Sequence, residues 1–249
     1  MTEPQRFAAK TVIVTGAGAG IGRATAVRVA TEGGRVIAAD ISSERLDALR
    51  AEHESLEFTT VAGDLTDQAA VDAVVDAAGG TLDAVCNVAG IMDGFEAVGE
   101  VDDAVWHHVL DVNLNSLMRL SRAALPLLLE RGGSIVNVTS EAGLRGSVAG
   151  AAYTSSKHAV VGLTRSTAFM YADRGVRCNA VAPGPVATSI EAMPNSAVAA
   201  ARIFPLFEHV LPPMAEAEQL AAVICWLASD DSSNVNGAIV PSDGGWSAL

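Results

Sequence analysis

Short apolar runs alternate along the chain with longer stretches whose apolar residues recur at helical spacing. The runs 11–15, 35–39, 57–62, 82–87, 134–138, 176–182 and 238–241 predict strands. The stretches 21–31, 43–54, 67–78, 102–130, 153–173 and 216–229 predict helices. Such alternation predicts βαβ units and a parallel sheet with helices on both faces. The run Thr-Val-Ile-Val-Thr at 11–15 is apolar without alternating, as a strand buried on both faces reads. No repeat, low-complexity tract or linker divides residues 1–249. The expectation is one α/β domain built on a doubly wound parallel sheet of about seven strands.

One segment breaks the rhythm. Residues 184–213 carry Pro185, Pro194, Pro205, Pro212 and Pro213 among apolar side chains. Proline at that density prevents a single regular element. A long irregular insert inside a compact domain is usually functional, and the apolar content predicts a lid.

Composition narrows the classes. Apolar residues make up 50% and charged residues 18%, which excludes a disordered chain. The formal net charge is −13 and no basic stripe is visible, which opposes nucleic acid and anionic lipid. Aromatics are only 4%, leaving few platforms for stacked bases. The N-terminus lacks a signal-peptide pattern, and no apolar run approaches the roughly 20 residues that span a bilayer. Cys86, Cys178 and Cys225 are odd in number, widely spaced and set in apolar segments. They read as reduced core residues of a cytoplasmic protein. No histidine has a partner at metal-ligand spacing, so no metal site is expected.

The first predicted strand runs through Thr15-Gly16-Ala17-Gly18-Ala19-Gly20-Ile21-Gly22 straight into a helix. Glycine lets backbone approach a pyrophosphate, and the helix N-terminus offers free amides and a positive dipole end to the anion. The spacing differs from G-x-G-x-x-G. Asp40 closes the next strand, where a carboxylate can accept both hydroxyls of an adenosine ribose and repel a 2′-phosphate. Asp40 also suits the start of the helix near Ser43. No Arg or Lys stands in the turn before Gly20 or just after Asp40, so the reading is NAD rather than NADP.

A second group lies further on. Ser140 ends the fifth strand, and Tyr153 and Lys157 stand four residues apart, on one helix face. Taken with Asn87-Val88-Ala89-Gly90, Asn113 and Pro183-Gly184, the chain resembles the short-chain dehydrogenase/reductase family from about residue 8 onward. It looks like the NAD-linked branch with a single Rossmann-type domain. The resemblance implies that Asn113, Ser140, Tyr153 and Lys157 are catalytic. It implies that NAD contacts Gly16, Ala19, Gly20, Ile21, Asp40, Ile41, Asp64, Leu65, Asn87, Ala89, Gly90, Tyr153, Lys157, Pro183, Gly184, Val186 and Thr188. Asp64 would hold the adenine amino group. Val88 departs from the family's second Asn. Asn113 would bend its helix and hold a water relaying protons to Lys157, which would also bind the nicotinamide ribose. A homo-oligomer, often a tetramer, is implied as well.

The chemistry implied is interconversion of a secondary alcohol and a ketone. A free phenol has a pKa of about 10, too high for a base at neutral pH. A unit charge about 4 Å away is worth roughly 4 kcal/mol at an effective dielectric of about 20, so Lys157 is expected to lower the Tyr153 phenol substantially. Ser140 would orient the reacting oxygen; alternatively it only caps a turn. Met92, Glu141, Leu144, Met193, Phe204 and Phe207 are expected around the substrate, and favour a medium-sized apolar one that is steroid-, terpenoid- or acyl-like. They would equally serve lid packing or a subunit interface. The alternatives are a 3-oxoacyl reductase of lipid metabolism and a non-catalytic NAD-binding regulator.

Overall fold

The computed structural model describes residues 5–188 and 194–248. The chain opens with β1 (Thr11–Thr15), α1 (Gly20–Thr31), β2 (Arg35–Asp40), α2 (Ser43–Glu52), β3 (Phe58–Ala62), α3 (Gln68–Asp76) and β4 (Ala84–Asn87). It continues with α4 (Asp103–Leu110), a π-helical turn (Asp111–Asn115), α5 (Ser116–Arg131), β5 (Gly133–Val138), α6 (Ala151–Tyr171) and β6 (Val176–Pro183). The last part holds α7 (Ala197–Arg202), α8 (Phe204–Val210), α9 (Ala217–Ala228) and β7 (Ile239–Ser242). The strands form one seven-stranded sheet in the order β3-β2-β1-β4-β5-β6-β7, all pairs parallel.

Strand periodicity splits the core in two. Val12 and Val14 of β1 face one cluster, with Leu46, Leu49, Leu220 and Ile224 from α2 and α9. Ile13 faces the other, with Val71, Val74, Leu120 and Leu128 from α3 and α5. A strand that feeds two cores must be apolar at consecutive positions, which is why 11–15 shows no alternation. Cys86, Cys178 and Cys225 are all buried and free.

The strand order reverses direction between β1 and β4. Connections leaving these two strands diverge, and a crevice opens at the carboxyl ends of the sheet. The site lies there.

The structure departs from the expected elements in two places. The predicted helix 102–130 is broken by the π turn at Asp111–Asn115, which contains Asn113. Within 184–213 the described residues form α7 and α8, and Val186 pairs with Ala215 in a single parallel bridge.

Gly22 shows how closely the first unit packs. A Cβ there would lie 2.2 Å from the Gly16 carbonyl oxygen, a backbone atom that cannot step aside. Gly22→Ala is therefore expected to cost about 1–3 kcal/mol of stability, measured as a lower urea midpoint at unchanged m-value.

Candidate active site

A cleft of about 910 Å³ opens above β1, β4 and β5. Its floor at one end is the turn after β1. Gly16 and Gly20 hold positive φ angles of +65° and +51°. A Cβ at Gly16 would come within 3.1 Å of the Ala89 backbone, and one at Gly20 within 3.1 Å of Thr188. The Thr15 hydroxyl accepts from the amides of Val88 (2.9 Å) and Ala89 (3.0 Å), tying this turn to the one after β4. Ala19, the N-cap of α1, supplies no side-chain acceptor. The amides of the first turn and the positive dipole end are thus left for a ligand in the cleft. Ile41, Asp64 and Leu65 line the same end.

Asp40 is buried there and holds three donors. Its Oδ2 accepts from the Gly18 amide at 3.0 Å, and its Oδ1 from the Ser42 amide at 2.9 Å and the Arg45 guanidinium at 2.8 Å. The sequence reading placed no cation beside Asp40; Arg45 corrects it. Ser42 caps α2 immediately after β2, so the first turn of that helix swings Arg45 back onto the carboxylate. The Ser42 N-cap was the available signal.

At the other end stand Ser140, Tyr153 and Lys157, all lining the cleft. The Ser140 hydroxyl also caps the short turn Glu141–Gly143 by accepting from the Ala142 amide at 3.1 Å. Lys157 is buried, donates to the Val138 carbonyl at 3.0 Å, and lies 5.4 Å from the Tyr153 ring centre. Among the described residues no carboxylate pairs with it. Burial pushes the Lys157 ammonium down to about 8. Burial, with a smaller contribution from Asp93, pushes the Tyr153 phenol up to about 12 against a lowering hydrogen bond to Ser140. The expected depression of the phenol by Lys157 is thus absent in the chain alone, because withdrawal from water penalises phenolate and ammonium alike.

Asn113 sits behind this wall rather than on it. The π turn aims its carboxamide at the Ile91 backbone, where it accepts at 2.8 Å and donates at 2.9 Å. A Cβ on Gly90 would lie 3.1 Å from Asn113 Oδ1 and 3.3 Å from Lys157 Nζ, so glycine keeps the space between them clear. Asn87 likewise stands behind the cleft, donating to Ser121 and Asn137. Ala89, Gly90, Pro183, Gly184, Val186 and Thr188 are on it.

The substrate-end residues divide. Met92 and Phe207 line the cleft. Glu141 is fully buried behind the Ser140 turn, and Leu144 points outward with 38% of its surface exposed. Neither lines the cleft, because the turn at Glu141–Gly143 carries both side chains away from it. Phe204 packs on Phe95 and Phe207 one ring back from the wall. Met193 lies outside the described residues. Sequence reasoning missed Val148, Leu211, His108 and Trp246, which do line the cleft. It also missed Asp93, whose carboxylate accepts from the amides of Gly150 (3.2 Å) and Tyr153 (2.9 Å). Gly150, the N-cap of α6, has no side chain to do this. A cap supplied from 57 residues away leaves no local sequence signature.

Among the described residues no cluster of three His, Cys, Asp or Glu side chains is arranged to hold a metal ion.

Comparison with known proteins places this geometry. The family described as enoyl-(acyl carrier protein) reductase matches residues 16–247. A short-chain dehydrogenase/reductase from Talaromyces verruculosus is 38% identical, covering 96% of this chain and 97% of its own length. A 3β-hydroxysteroid dehydrogenase from Eggerthella lenta is 38% identical over 97% and 96% of the two chains. The crystal structure of levodione reductase superposes with a TM-score of 0.89 at 36% identity, over 98% of this chain and all of the other. A short-chain dehydrogenase from Mycobacterium paratuberculosis bound to NAD gives 0.88 at 32% identity over 98% and 100%. The chain belongs to the short-chain dehydrogenase/reductase family.

Removing the distant cap tests how α6 is held. Asp93→Ala is expected to lose about 2 kcal/mol of stability by stranding two amides at the helix start, read by chemical denaturation. Asp93→Asn, which keeps an acceptor, is expected to lose less.

Proposed function

We propose that this protein is an NAD(H)-dependent oxidoreductase that interconverts a secondary alcohol and a ketone, with Tyr153 as general acid/base. The observation that carries the reading is a half-buried phenol beside a buried ammonium that has no carboxylate partner among the described residues, at one end of a cleft whose other end is backbone-floored and closed by Asp40.

The residues fit a dinucleotide. Glycine turns leave no side chains where a pyrophosphate would lie, and the α1 N-terminus faces that place. A bound nicotinamide would take up or supply the hydride. The Asp40 carboxylate has two oxygens and four acceptor positions, and three donors already use them, leaving room for a ribose hydroxyl. Its charge opposes a 2′-phosphate, and Arg45 is already paired with it. A related structure holds NAD and another NADP at low occupancy, so Asp40 is what favours NAD for this chain.

In the direction of ketone reduction the Tyr153 hydroxyl delivers a proton to the carbonyl oxygen, and the resulting phenolate lies within reach of the Lys157 charge. Ser140 donates to the same oxygen and stabilises its developing charge. The Lys157 ammonium can return a proton to the Tyr153 phenolate, and Asn113 and Gly90 leave an open space beside Nζ in which a water can replace the proton Lys157 gives up. In alcohol oxidation the same groups run in reverse.

A medium-sized apolar substrate suits the wall of Met92, Phe95, Val148, Phe207, Leu211 and Trp246. The steroid activity named for the Eggerthella lenta relative supports this class. Phe169 and Met170 stand 83% and 64% exposed on α6, which supports burial of that helix in a homotetramer. No described helix is long and apolar enough to cross a membrane; we read the enzyme as cytoplasmic.

The test is NAD(H)-linked turnover on a panel of alicyclic alcohols and ketones. Tyr153→Phe is expected to lower kcat by about 10²–10⁴-fold with NADH affinity retained; an unchanged rate removes the assigned role. Lys157 sets the pH dependence. Its charged form persists below about 8 and is lost above it. The kcat/KM for NADH, which reports groups in the free protein, is expected to be level below about pH 8 and to fall above it.

A further inference from the structure

A second group of charges lies behind the Ser140 turn, and the mechanism does not use it. Arg145 follows that turn. Its Nη2 lies 3.0 Å from the fully buried Glu141 carboxyl and donates to the Trp246 carbonyl at 2.7 Å. Its guanidinium carbon sits 4.8 Å over the Trp246 ring. Among the described residues neither Glu141 oxygen has a donor aligned for a hydrogen bond, and both are buried. Asp243 is the acid facing Glu141 from the loop after β7. It accepts from the amides of Gly245 (2.9 Å) and Ser247 (2.7 Å), and so bends the final segment around itself.

The segment so held presents Trp246 to the cleft. Its ring meets Phe207 edge-on at 5.6 Å, Phe207 leans on Phe204 at 6.2 Å, and Phe204 meets Phe95 edge-on at 5.5 Å. A continuous string of rings thus joins the loop after β4, the lid helix α8 and the final segment. Tyr153 and Met92 pack against the apolar cluster of Ala142, Val148, Ala149 and Trp246.

We propose that Arg145, seated on Glu141, is a positioning residue that clamps Trp246 and so sets the size and shape of the substrate end of the cleft. The substrate role rests on the function proposed above; the clamp itself does not.

The acids make the clamp respond to pH. Burial and the facing Asp243 push Glu141 up to about 7, against Arg145, which lowers it. Among the described residues Asp243 and Arg145 are the charged groups that act on Glu141, and Tyr153 and Lys157, on the α6 that packs against this turn, face the cleft. Below about pH 7 the Glu141 proton can be shared with the Asp243 carboxylate. Above it, two carboxylates face each other out of water and the final segment loosens. The sign agrees with linkage: a carboxyl whose folded pKa is raised gives stability at low pH that is lost as pH rises through the folded value.

Two measurements on the full chain decide this. Hydrogen exchange of the peptide holding residues 243–248, corrected for the intrinsic rate, needs no turnover. Wild-type protection is expected to fall severalfold, and at most about tenfold, between pH 6 and pH 8. Glu141→Gln, which copies the protonated acid, is expected to hold its protection at both, and Arg145→Met to lack it at both. Equal wild-type protection at the two pH values, or the same loss in Glu141→Gln, overturns the clamp. With turnover established, Arg145→Met at pH 6 is expected to lower the kcat/KM ratio of a polycyclic alcohol over cyclohexanol at least tenfold, through KM, with NADH affinity unchanged; Arg145→Lys is expected to restore part of it. A loosened segment with an unchanged ratio overturns the specificity role.

Discussion

An ammonium group buried without a carboxylate partner is the constraint on which this site depends. Among the described residues Lys157 has the Val138 carbonyl as its one direct acceptor, and the cost of that burial appears as its lowered pKa of about 8. A neighbouring carboxylate would have satisfied it permanently. Without one, the charge is fully available to an anion that forms beside it. The Tyr153 phenol is penalised by the same dryness and rests protonated. Each group is costly alone in its charged form, and each lowers the cost of the other when both are charged. A pair of this kind responds strongly to any further charge entering the cleft, because Lys157 is enclosed by protein that screens charge less than water does.

The fold holds the pair in place through contacts that are mostly backbone. Reversal of strand order between β1 and β4 creates the crevice. Thr15 binds the two turns that form its floor into one unit. The π turn spends a residue of helical regularity to aim Asn113 at Ile91. Asp93 then fixes the start of α6, and with it the Tyr153 backbone. The negative charge of Asp93 at that helix start complements the dipole, yet it also raises the phenol. Position and proton affinity are therefore set together.

Much of this was legible in the sequence because it is local. Seven strands lie within two residues of their predicted ends, since each is a continuous apolar run fixed by burial on both faces. The glycine turn, Asp40 and the Tyr153–Lys157 pair each follow from one element and its immediate neighbours. Non-local features stayed hidden. Arg45 meets Asp40 only once α2 begins, Asp93 reaches α6 from the loop after β4, and Trp246 joins the wall through Arg145. Glu141 and Leu144 were misplaced because adjacency to Ser140 says nothing of which way a tight turn sends its side chains. The sign of the Tyr153 shift was misjudged for a related reason. A Coulomb estimate from spacing includes the attraction and omits the desolvation of both partners, which only burial reveals.

The protein has two tyrosines, Tyr153 and Tyr171, so ring-labelled tyrosine gives two signals that a single Tyr153→Phe spectrum assigns. Titrating them by NMR with and without NAD⁺ measures the central quantity directly. In the free protein Tyr153 is expected to titrate near 12 and to move down by about 2 pH units or more once a positive nicotinamide ring is bound nearby. A Tyr153 signal that titrates at or below the ordinary phenol value of about 10 in the free protein, or that does not move on binding, contradicts it.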